Sequence, residues 1–463
     1  MIPTPHQLKD IRIKLDQTGK GFCMAKWYHV SMHLHKGMNH SCYHPAPHVV
    51  TLEEVQNNPS ALHNSQHKKL QRKLMLEGER PTECSYCWDI EDLPGEHLSD
   101  RPLRSSESWA IPLIEQTSKL NWQEDVNPRY LEVNFGYECQ LKCSYCTTTI
   151  SSAWHQEIKK FGQYELYNPQ NKAQYSIDYI NQNGKFYPKE DENPYITAFW
   201  KWFPDVYPTL HTFRLTGGEP LLSSNTFRVL EYIEQNPRSD LSFAINSNMC
   251  VPERNISKFV DVCSRLKEQN KLGPLTVFTS VDTWGPQCEY IRNGFSMEKW
   301  LSNIDLYLNN VKNTNVSMMV TFCFMSIPKF KLLLDKILEM RRKYNQIYPR
   351  IEFDTPYLIE PPHLSAQLAT NEHVEWLNET LAYMKTNVRE KWDPMYFTPT
   401  EYAKLERVVR WIEHNRYTGD MLRLNRNDFV RFVDQHDQRR KTNFLATFPE
   451  LEKDYWEWKN YNI

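Results

Sequence analysis

The sequence lacks an excess of charge of either sign. Its 463 residues include 55 basic and 57 acidic side chains, which gives a formal net charge of -2. Proteins that hold long nucleic acid or an anionic membrane through their overall field carry a clear positive excess. We therefore expect neither long nucleic acid nor a membrane as a partner.

Long apolar runs are also missing. No stretch of 18 apolar residues occurs, and the start, MIPTPHQLKDIRIKLDQ, lacks the basic-then-apolar order of a signal peptide. Internal repeats and low-complexity tracts are absent as well. These features predict a cytoplasmic location.

The cysteines do not form the even set of a disulfide framework. There are eleven, and seven of them fall into two groups, Cys139, Cys143 and Cys146 in one and Cys23, Cys42, Cys84 and Cys87 in the other. In a reducing compartment, such clusters favour metal binding or catalysis. We interpret the scattered Cys250, Cys263, Cys288 and Cys323 as small buried apolar side chains.

Short strands and longer helices alternate along the middle of the chain. The segments that read as strands are RYLEVNFGY, TFRLTGG, SFAINSN, LTVFTSVD, VSMMVTFCF and RIEFDTPY, beginning at residues 129, 212, 242, 275, 316 and 350. Their alternation with helix-like segments predicts an α/β fold with a parallel sheet, open or barrel-like. Six strands fit a partial barrel.

The flanking parts have a different character. Seven of the sixteen histidines lie in the first 48 residues, where AKWYHVSMHLH suggests a strand and residues 59–81 suggest a surface helix with leucines at 62, 70, 74 and 76. Residues 151–208 form an insertion, predicted to be an ordered flap. From residue 361 the chain is predicted to be mostly helical.

The spacing of Cys139, Cys143 and Cys146 places three thiols in one short loop after the first of those strands. Three neighbouring thiolates can ligate three corners of an iron-sulfur cube and leave one iron open. A zinc site completed by a distant ligand is the alternative.

A second motif, GGEP at residues 217–220, follows the next strand. Together the two motifs resemble the radical S-adenosylmethionine (SAM) superfamily over roughly residues 129 to 360. The resemblance implies a partial (β/α)6 TIM-like barrel, a 4Fe-4S cluster on the three cysteines, and SAM chelated by the open iron. In that family the reduced cluster cleaves SAM, and the resulting 5′-deoxyadenosyl radical abstracts hydrogen from a substrate.

The resemblance also implies which residues contact the cofactor. The implied positions are Tyr145 for adenine, Gly217, Gly218 and Glu219 in GGEP, Asn246 and Asn248 in AINSN, Ser280 and Asp282 in TSVDT, and Arg292 in EYIRNGF. The two glycines would let the backbone approach SAM, and Glu219 would lie near its amine. Arg292 would pair with its carboxylate, a task that suits a guanidinium. A solvated arginine is the alternative.

The N-terminal cysteines resemble those of SPASM and twitch domains, which are auxiliary iron-sulfur modules. The pattern is Cys23-x13-Gly37-x4-Cys42 followed by Cys84-x2-Cys87. Position 93 is Leu and no cysteine follows residue 323, so the resemblance implies one auxiliary 4Fe-4S cluster, as in twitch domains. A zinc ribbon, helped by nearby histidines, is the alternative; these are His29, His33, His35, His40 and His44.

The chain is thus identified as similar to radical SAM proteins with an N-terminal twitch-like domain, many of them phage-encoded, in which case the location would be the host cytoplasm. The implied domains are 1–118 (α+β, twitch-like iron-sulfur), 119–360 (barrel) and 361–463 (helical). The implied partners are a reductase or flavodoxin-type electron donor and a peptide or small-molecule substrate. A peptide or protein side chain is favoured as the site of hydrogen abstraction. The alternatives are a nucleotide or small metabolite, or a non-catalytic iron-sulfur or zinc scaffold.

Overall fold

The computed structural model describes residues 4–95, 97–177, 186–391 and 393–461. It has a mixed α/β fold with a nine-stranded, mostly parallel sheet and a separate two-stranded ladder, so the predicted α/β class with parallel strands is confirmed. The strands are β1 (His29–His33), β2 (Met38–His40), β3 (His48–Val49), β4 (Tyr130–Asn134), β5 (Lys142–Cys143), β6 (Thr212–Thr216), β7 (Ser242–Asn246), β8 (Leu275–Ser280), β9 (Arg292–Asn293), β10 (Asn315–Met319) and β11 (Ile351–Asp354).

The helices are numbered along the described residues. They are α1 (Pro5–Asp16), α2 (Ala25–Tyr28), α3 (Leu52–Asn57), α4 (Ala61–Asn64), α5 (Gln66–Leu76), α6 (Ser85–Glu91), α7 (Asp100–Ser105), α8 (Ile114–Thr117), α9 (Ser152–Phe161), α10 (Pro169–Ala173), α11 (Pro194–Val206), α12 (Ser224–Gln235), α13 (Glu253–Glu268), α14 (Pro286–Ile291), α15 (Met297–Asn310), α16 (Phe330–Tyr344), α17 (Asn371–Thr386), α18 (Pro399–His414), α19 (Gly419–Arg440), α20 (Phe444–Thr447) and α21 (Glu452–Lys459). Among them, none is long and apolar enough to cross a bilayer.

The chain divides into two compact units. Unit 1 comprises Met1–Gly136, Asn183–Gly217 and Asp240–Phe243, and unit 2 comprises Tyr137–Gln182, Gly218–Ser239 and Ala244–Ile463. The division into 1–118, 119–360 and 361–463 stays a prediction.

In unit 1 the strand order is β3-β2-β1-β4-β6. β1 runs parallel to β4, in register from His29 opposite Tyr130 to His33 opposite Asn134, and antiparallel to β2. β1 covers only part of the segment predicted as a strand, because AKWY begins it as the helix α2. The N-terminal region therefore adds a parallel strand next to the first strand of the predicted βαβ series.

The predicted surface helix at 59–81 is split into α4 and α5. In α5, Leu70 and Leu74 are exposed, whereas Lys68 and Arg72 are fully buried. Lys68 Nζ donates to the carbonyl of His29 (2.8 Å), and Arg72 Nε donates to that of Lys26 (3.2 Å). Buried cations are tolerated where such acceptors satisfy them, so the buried face of α5 includes two cations.

In unit 2 the strand order is β7-β8-β10-β11, and β8, β10 and β11 are parallel. Each follows a helix, as the sequence predicts for βαβ units. In β8, alternate residues are buried, the pattern of a strand with two different faces. α13 buries Ile256, Phe259, Val260, Cys263 and Leu266 at helical spacing, which holds it against its neighbours.

The predicted insertion contributes α9 and α10 to unit 2 and α11 to unit 1. Its residues 178–185 lie outside the described residues, so the prediction of a flap is not tested there. From residue 361 onward the described chain is mostly helical, with α17 to α21.

Candidate functional site

The three cysteines of unit 2 lie in and around β5. Cys143 is part of β5, where it pairs with Arg292 of β9, and the amide of Cys146 donates to the carbonyl of Cys143 (2.9 Å) in a tight turn. The amide of Cys139 donates to Ser152 Oγ (3.2 Å) at the start of α9. The loop is thus held by backbone bonds rather than by its own side chains.

These three thiols are largely withdrawn from solvent. Burial raises the pKa of Cys146 to about 12 and also raises that of Cys143. For Cys139, burial and then the neighbouring Cys143, Glu219 and Cys146 raise the pKa well above its usual value. Thiols of this kind are neutral near pH 7 until a metal replaces the proton, so metal binding here releases protons.

Two side chains from other elements point an N–H group at the sulfurs. Asn248 Nδ2 donates to Cys139 Sγ (3.9 Å), and Arg292 Nη1 donates to Cys143 Sγ (3.5 Å). Such hydrogen bonds to sulfur are among the features that set the potential of iron-sulfur clusters. The loop therefore supplies three thiols that could bind a metal, and Asn248 and Arg292 supply N–H donors to two of them.

Glu219 lies beside this loop and is almost fully buried. Its Oε1 accepts from Ser247 Oγ (2.8 Å) and the amide of Leu221 (3.0 Å), and its Oε2 accepts from the amide of Asn248 (2.7 Å). Burial raises its pKa to about 7, against the lowering effect of these bonds. The carboxylate thus fixes the Asn248 turn that presents an amide to Cys139.

Asp282, Arg292 and Tyr145 form a second group on the other side of the loop. Asp282 Oδ2 lies 2.9 Å from Arg292 Nε and accepts from Tyr145 Oη (2.8 Å). Asp282 Oδ1 accepts from Arg292 Nη2 (3.1 Å) and from the amide of Thr321 (3.0 Å), while Arg292 Nη2 also bonds to Tyr145 Oη. Asp282 is inaccessible to solvent and Arg292 nearly so.

The two glycines of GGEP are required by the chain itself. A Cβ on Gly217, whose φ is +130°, would lie 2.5 Å from Asn134 Oδ1, and one on Gly218 would lie 2.7 Å from the carbonyl carbon of Tyr137. No other residue fits at either position without moving backbone atoms. Gly217 thus lets the chain pass close to Asn134, and Gly218 lets it pass close to Tyr137.

The remaining predicted cofactor residues lie at strand ends. Asn246 is the last residue of β7, and Ser280 is the last residue of β8 and is opposite Met319. Unit 2 therefore brings together Cys139, Cys143, Cys146, Tyr145, Glu219, Asn248, Asp282 and Arg292 through the contacts given above. Contact of any of them with SAM stays a prediction.

The four cysteines of unit 1 line a solvent-open cavity of about 350 Å³. Cys23 precedes α2, Cys42 follows β2, Cys84 precedes α6 and Cys87 lies within it. Burial, and after it Cys42, Cys84 and Cys87, raises the pKa of Cys23 to about 12. Because all four thiols line one cavity, the sequence-distant cysteines lie close together.

Buried ion pairs support this cavity. Arg101, which lines it, donates through Nε and Nη2 to Glu91 (2.9 Å each), and both side chains are buried. Lys26, also buried, pairs with Glu83, the residue before Cys84. The Lys26–Glu83 pair connects the segment of Cys23 with that of Cys84, and Arg101 also donates through Nη1 to the carbonyl of Phe22 (3.2 Å), next to Cys23.

Among the histidines that supported the zinc alternative, His44 lines the same cavity as the four cysteines. His33 Nε2 lies 3.2 Å from His40 Nε2, and His44 Nε2 lies 2.9 Å from Asp100 Oδ2. Within the described ranges, no three His, Cys, Asp or Glu side chains are placed to hold a single metal ion. An iron-sulfur cube, by contrast, distributes its ligands over separate irons.

Sequence reasoning missed three residues that support the cysteine loop. Ser247 holds Glu219 and sits between the two asparagines of AINSN, so that motif could have revealed it. Thr321 reaches Asp282 through its amide, which leaves no sequence signal. Arg440 donates to the carbonyl of Lys142 (2.8 Å) and pairs with buried Glu157 (3.0 Å).

The donor sets fit iron-sulfur clusters by their chemistry. Three thiols in one loop, two of them facing N–H donors, match a cluster with one iron left for another ligand. Four thiols around one cavity match a cluster whose irons are all ligated by the protein. Comparison with known proteins adds nothing to this assignment: no family model matches the chain, and no curated protein matches it significantly.

Proposed function

We propose that the chain is a radical SAM enzyme, with a 4Fe-4S cluster at Cys139, Cys143 and Cys146 that also binds SAM. The observation that carries this proposal is the cysteine loop of unit 2, which brings three thiols together and in which the buried Cys139 and Cys143 accept from N–H groups of Asn248 and Arg292. A non-catalytic scaffold would have no need of a cluster with an open iron.

When bound, the reduced cluster would supply the electron that cleaves SAM, and hydrogen abstraction from a substrate would follow. The chain's own residues hold the surroundings fixed. Glu219 and Ser247 anchor the turn that carries Asn248, and Asp282 anchors Arg292. Cys139 and Cys143 are buried, which limits the access of water to their thiols.

The fold supports the proposal through its strand order. In unit 1, β4 is parallel to β6, and in unit 2, β8, β10 and β11 are parallel and follow their order in the chain. This is the order expected for the partial (β/α)6 barrel of the family, with the functional loops at the carboxyl ends of the strands.

We propose further that Cys23, Cys42, Cys84 and Cys87 hold one auxiliary 4Fe-4S cluster. The cavity that all four thiols line supports this proposal, and a zinc ribbon is the alternative. With no open iron, this cluster would serve electron transfer or stability. A peptide or protein side chain as substrate, and a flavodoxin-type donor, are proposed on the resemblance alone.

The test is the release of 5′-deoxyadenosine. Anaerobically reconstituted protein with dithionite and SAM should release it, and a Cys143→Ala variant should not. Equal release by both proteins would contradict the proposed function. A Cys263→Ala variant is the matched control, since Cys263 is buried in α13 without a part in either site.

A further inference from the structure

Both edges of the Arg292 guanidinium face protein groups. A guanidinium grips a carboxylate through two neighbouring nitrogens, either Nε with Nη2 or Nη1 with Nη2. On the first edge, Nη2 donates to Asp282 Oδ1 (3.1 Å), and Nε lies 2.9 Å from Asp282 Oδ2 in an ion pair without hydrogen-bond geometry. On the second edge, Nη1 donates to Cys143 Sγ (3.5 Å) and Nη2 bonds to Tyr145 Oη.

Asp282 is itself held in one orientation. Tyr145 Oη donates to Oδ2 and the amide of Thr321 donates to Oδ1, so each oxygen accepts from a fixed group besides Arg292. Asp282 is inaccessible to solvent, and Arg292 is only 5% exposed. A buried carboxylate whose two oxygens both accept hydrogen bonds cannot rotate without losing several of them. Asp282 therefore fixes the direction in which Arg292 Nη1 points.

Backbone pairing places the donor and the sulfur together. Cys143 and Arg292 are partners in the two-stranded β5–β9 ladder. The ladder sets the distance between the residues, and Asp282 sets the orientation of the side chain. Neither the ladder nor the contact with Asp282 requires a bound ligand.

We propose that Asp282 positions Arg292 as a hydrogen-bond donor to the Cys143 thiolate, and that Arg292 acts on the cluster ligand instead of clamping the SAM carboxylate. This inference rests on the proposed function, since it requires a cluster at Cys143. A charged N–H donor draws electron density from the thiolate and stabilises the more negative, reduced form of a cluster. Arg292 therefore raises the reduction potential of the loop cluster before SAM binds.

The experiment compares Arg292→Gln and Arg292→Lys with the unaltered chain. Lysine keeps the charge but not the planar fork that serves Asp282 and Cys143 at once. Arg341→Lys is the matched control, because Arg341 is also buried in unit 2 and paired with a carboxylate, Glu401, but contacts no cysteine. The reconstituted proteins are titrated with dithionite under electron paramagnetic resonance (EPR), first without SAM, and the component that responds to SAM is followed.

We expect a more negative midpoint potential of that component in both Arg292 variants, measured without SAM, and no shift in Arg341→Lys. SAM affinity should fall by less than about tenfold, since a lost bidentate contact would cost at least that much. If Arg292→Gln loses that cluster, the midpoint of Arg292→Lys decides: a more negative value supports the role and an unchanged value overturns it. An unchanged midpoint in both Arg292 variants, with SAM affinity at least about tenfold weaker, would overturn the inference. If the unaltered chain has no SAM-responsive signal, the proposed function fails instead.

Discussion

The two cysteine groups are built in opposite ways. In the loop of unit 2, the thiols come from eight consecutive residues, 139–146, and distant side chains such as Arg292 and Asn248 adjust them. In the cavity of unit 1, the thiols come from three separate stretches, and the buried Lys26–Glu83 pair connects the stretch of Cys23 with that of Cys84 and Cys87. The open ligand position is proposed for the loop, whereas the cavity is proposed to supply all four ligands of its cluster.

The comparison teaches that a short motif predicts a site whose ligands are local but says little of a site assembled by tertiary structure. The difference also predicts different effects for substitutions at the two sites. Changes at the cavity should affect the folding of unit 1, and changes at the loop should affect chemistry first.

The largest expected effect is that of Cys84→Ala together with Cys87→Ala. Metal binding can contribute on the order of 10 kcal/mol to a small metal-dependent region. Iron should fall from about eight to about four per chain if both sites hold four-iron cubes, and the N-terminal region should become sensitive to protease. Metal analysis and limited proteolysis provide the measurements. About one zinc with only about four irons in the unaltered protein would point to a zinc ribbon.

Arg101→Met and Arg440→Met test whether each site has its own support. Each removes one member of a buried ion pair; breaking such a pair costs about 3–5 kcal/mol, and less at Glu157, which keeps Lys142 as a partner (2.7 Å). We expect Arg101→Met to lose iron from the cavity and Arg440→Met to lose it from the loop. Denaturant unfolding and iron analysis distinguish them, with the exposed pair member Arg423, changed to Met, as the control. Loss from the same site in both variants would contradict the separation.

The support of the loop should also depend on pH. Burial alone would raise the pKa of Glu157, but Arg440 and Lys142 lower it from 4.5 to about 2. Because the folded-state pKa is depressed, the stabilisation is present above about pH 4.5 and is lost as the pH falls through about 2, on the order of 2 kcal/mol. Glu157→Gln should show a flatter loss of stability with acid, whereas the exposed Glu165, changed to Gln, should not alter the profile. Identical profiles for Glu157→Gln and the unaltered chain would refute this role.

The smallest expected effect is that of Ser247→Ala, which removes one of three hydrogen bonds to Glu219. A hydrogen bond to a charged group contributes about 1.5–3 kcal/mol, and the two backbone donors remain. A modest fall in the thermal midpoint is expected, with Ser264→Ala, an exposed serine of α13, as the control. Equal midpoints for the two variants would show that the hydroxyl does not stabilise the turn.

Much of the fold could be predicted because its signals are local. Six strands and four helices follow apolar patterns at strand or helix spacing. They are β4, β6, β7, β8, β10 and β11, with α12, α13, α15 and α16. The orientation of α5 could not be predicted. Lys68 and Arg72 are buried in it, and the acceptors that satisfy them lie 39 and 46 residues away in sequence.

The candidate site also has a part that local sequence predicts and a part that depends on tertiary structure. The spacing of Cys139, Cys143 and Cys146 is visible in the sequence, as is the GGEP turn. The contacts of Arg292 with Asp282 and Cys143 depend on where a strand end and the β5–β9 ladder lie. Arg440 contacts Lys142 across 298 positions, a pairing that no local pattern encodes.

The most direct measurement of the difference between the two sites is the EPR spectrum of the dithionite-reduced protein with and without SAM. The account predicts two cluster signals, of which SAM alters only one. That signal should be absent from Cys143→Ala and present in the variant carrying Cys84→Ala and Cys87→Ala. A SAM-responsive signal that survives in Cys143→Ala, or one that disappears only with Cys84 and Cys87, would contradict the assignment of the open iron to the loop of unit 2.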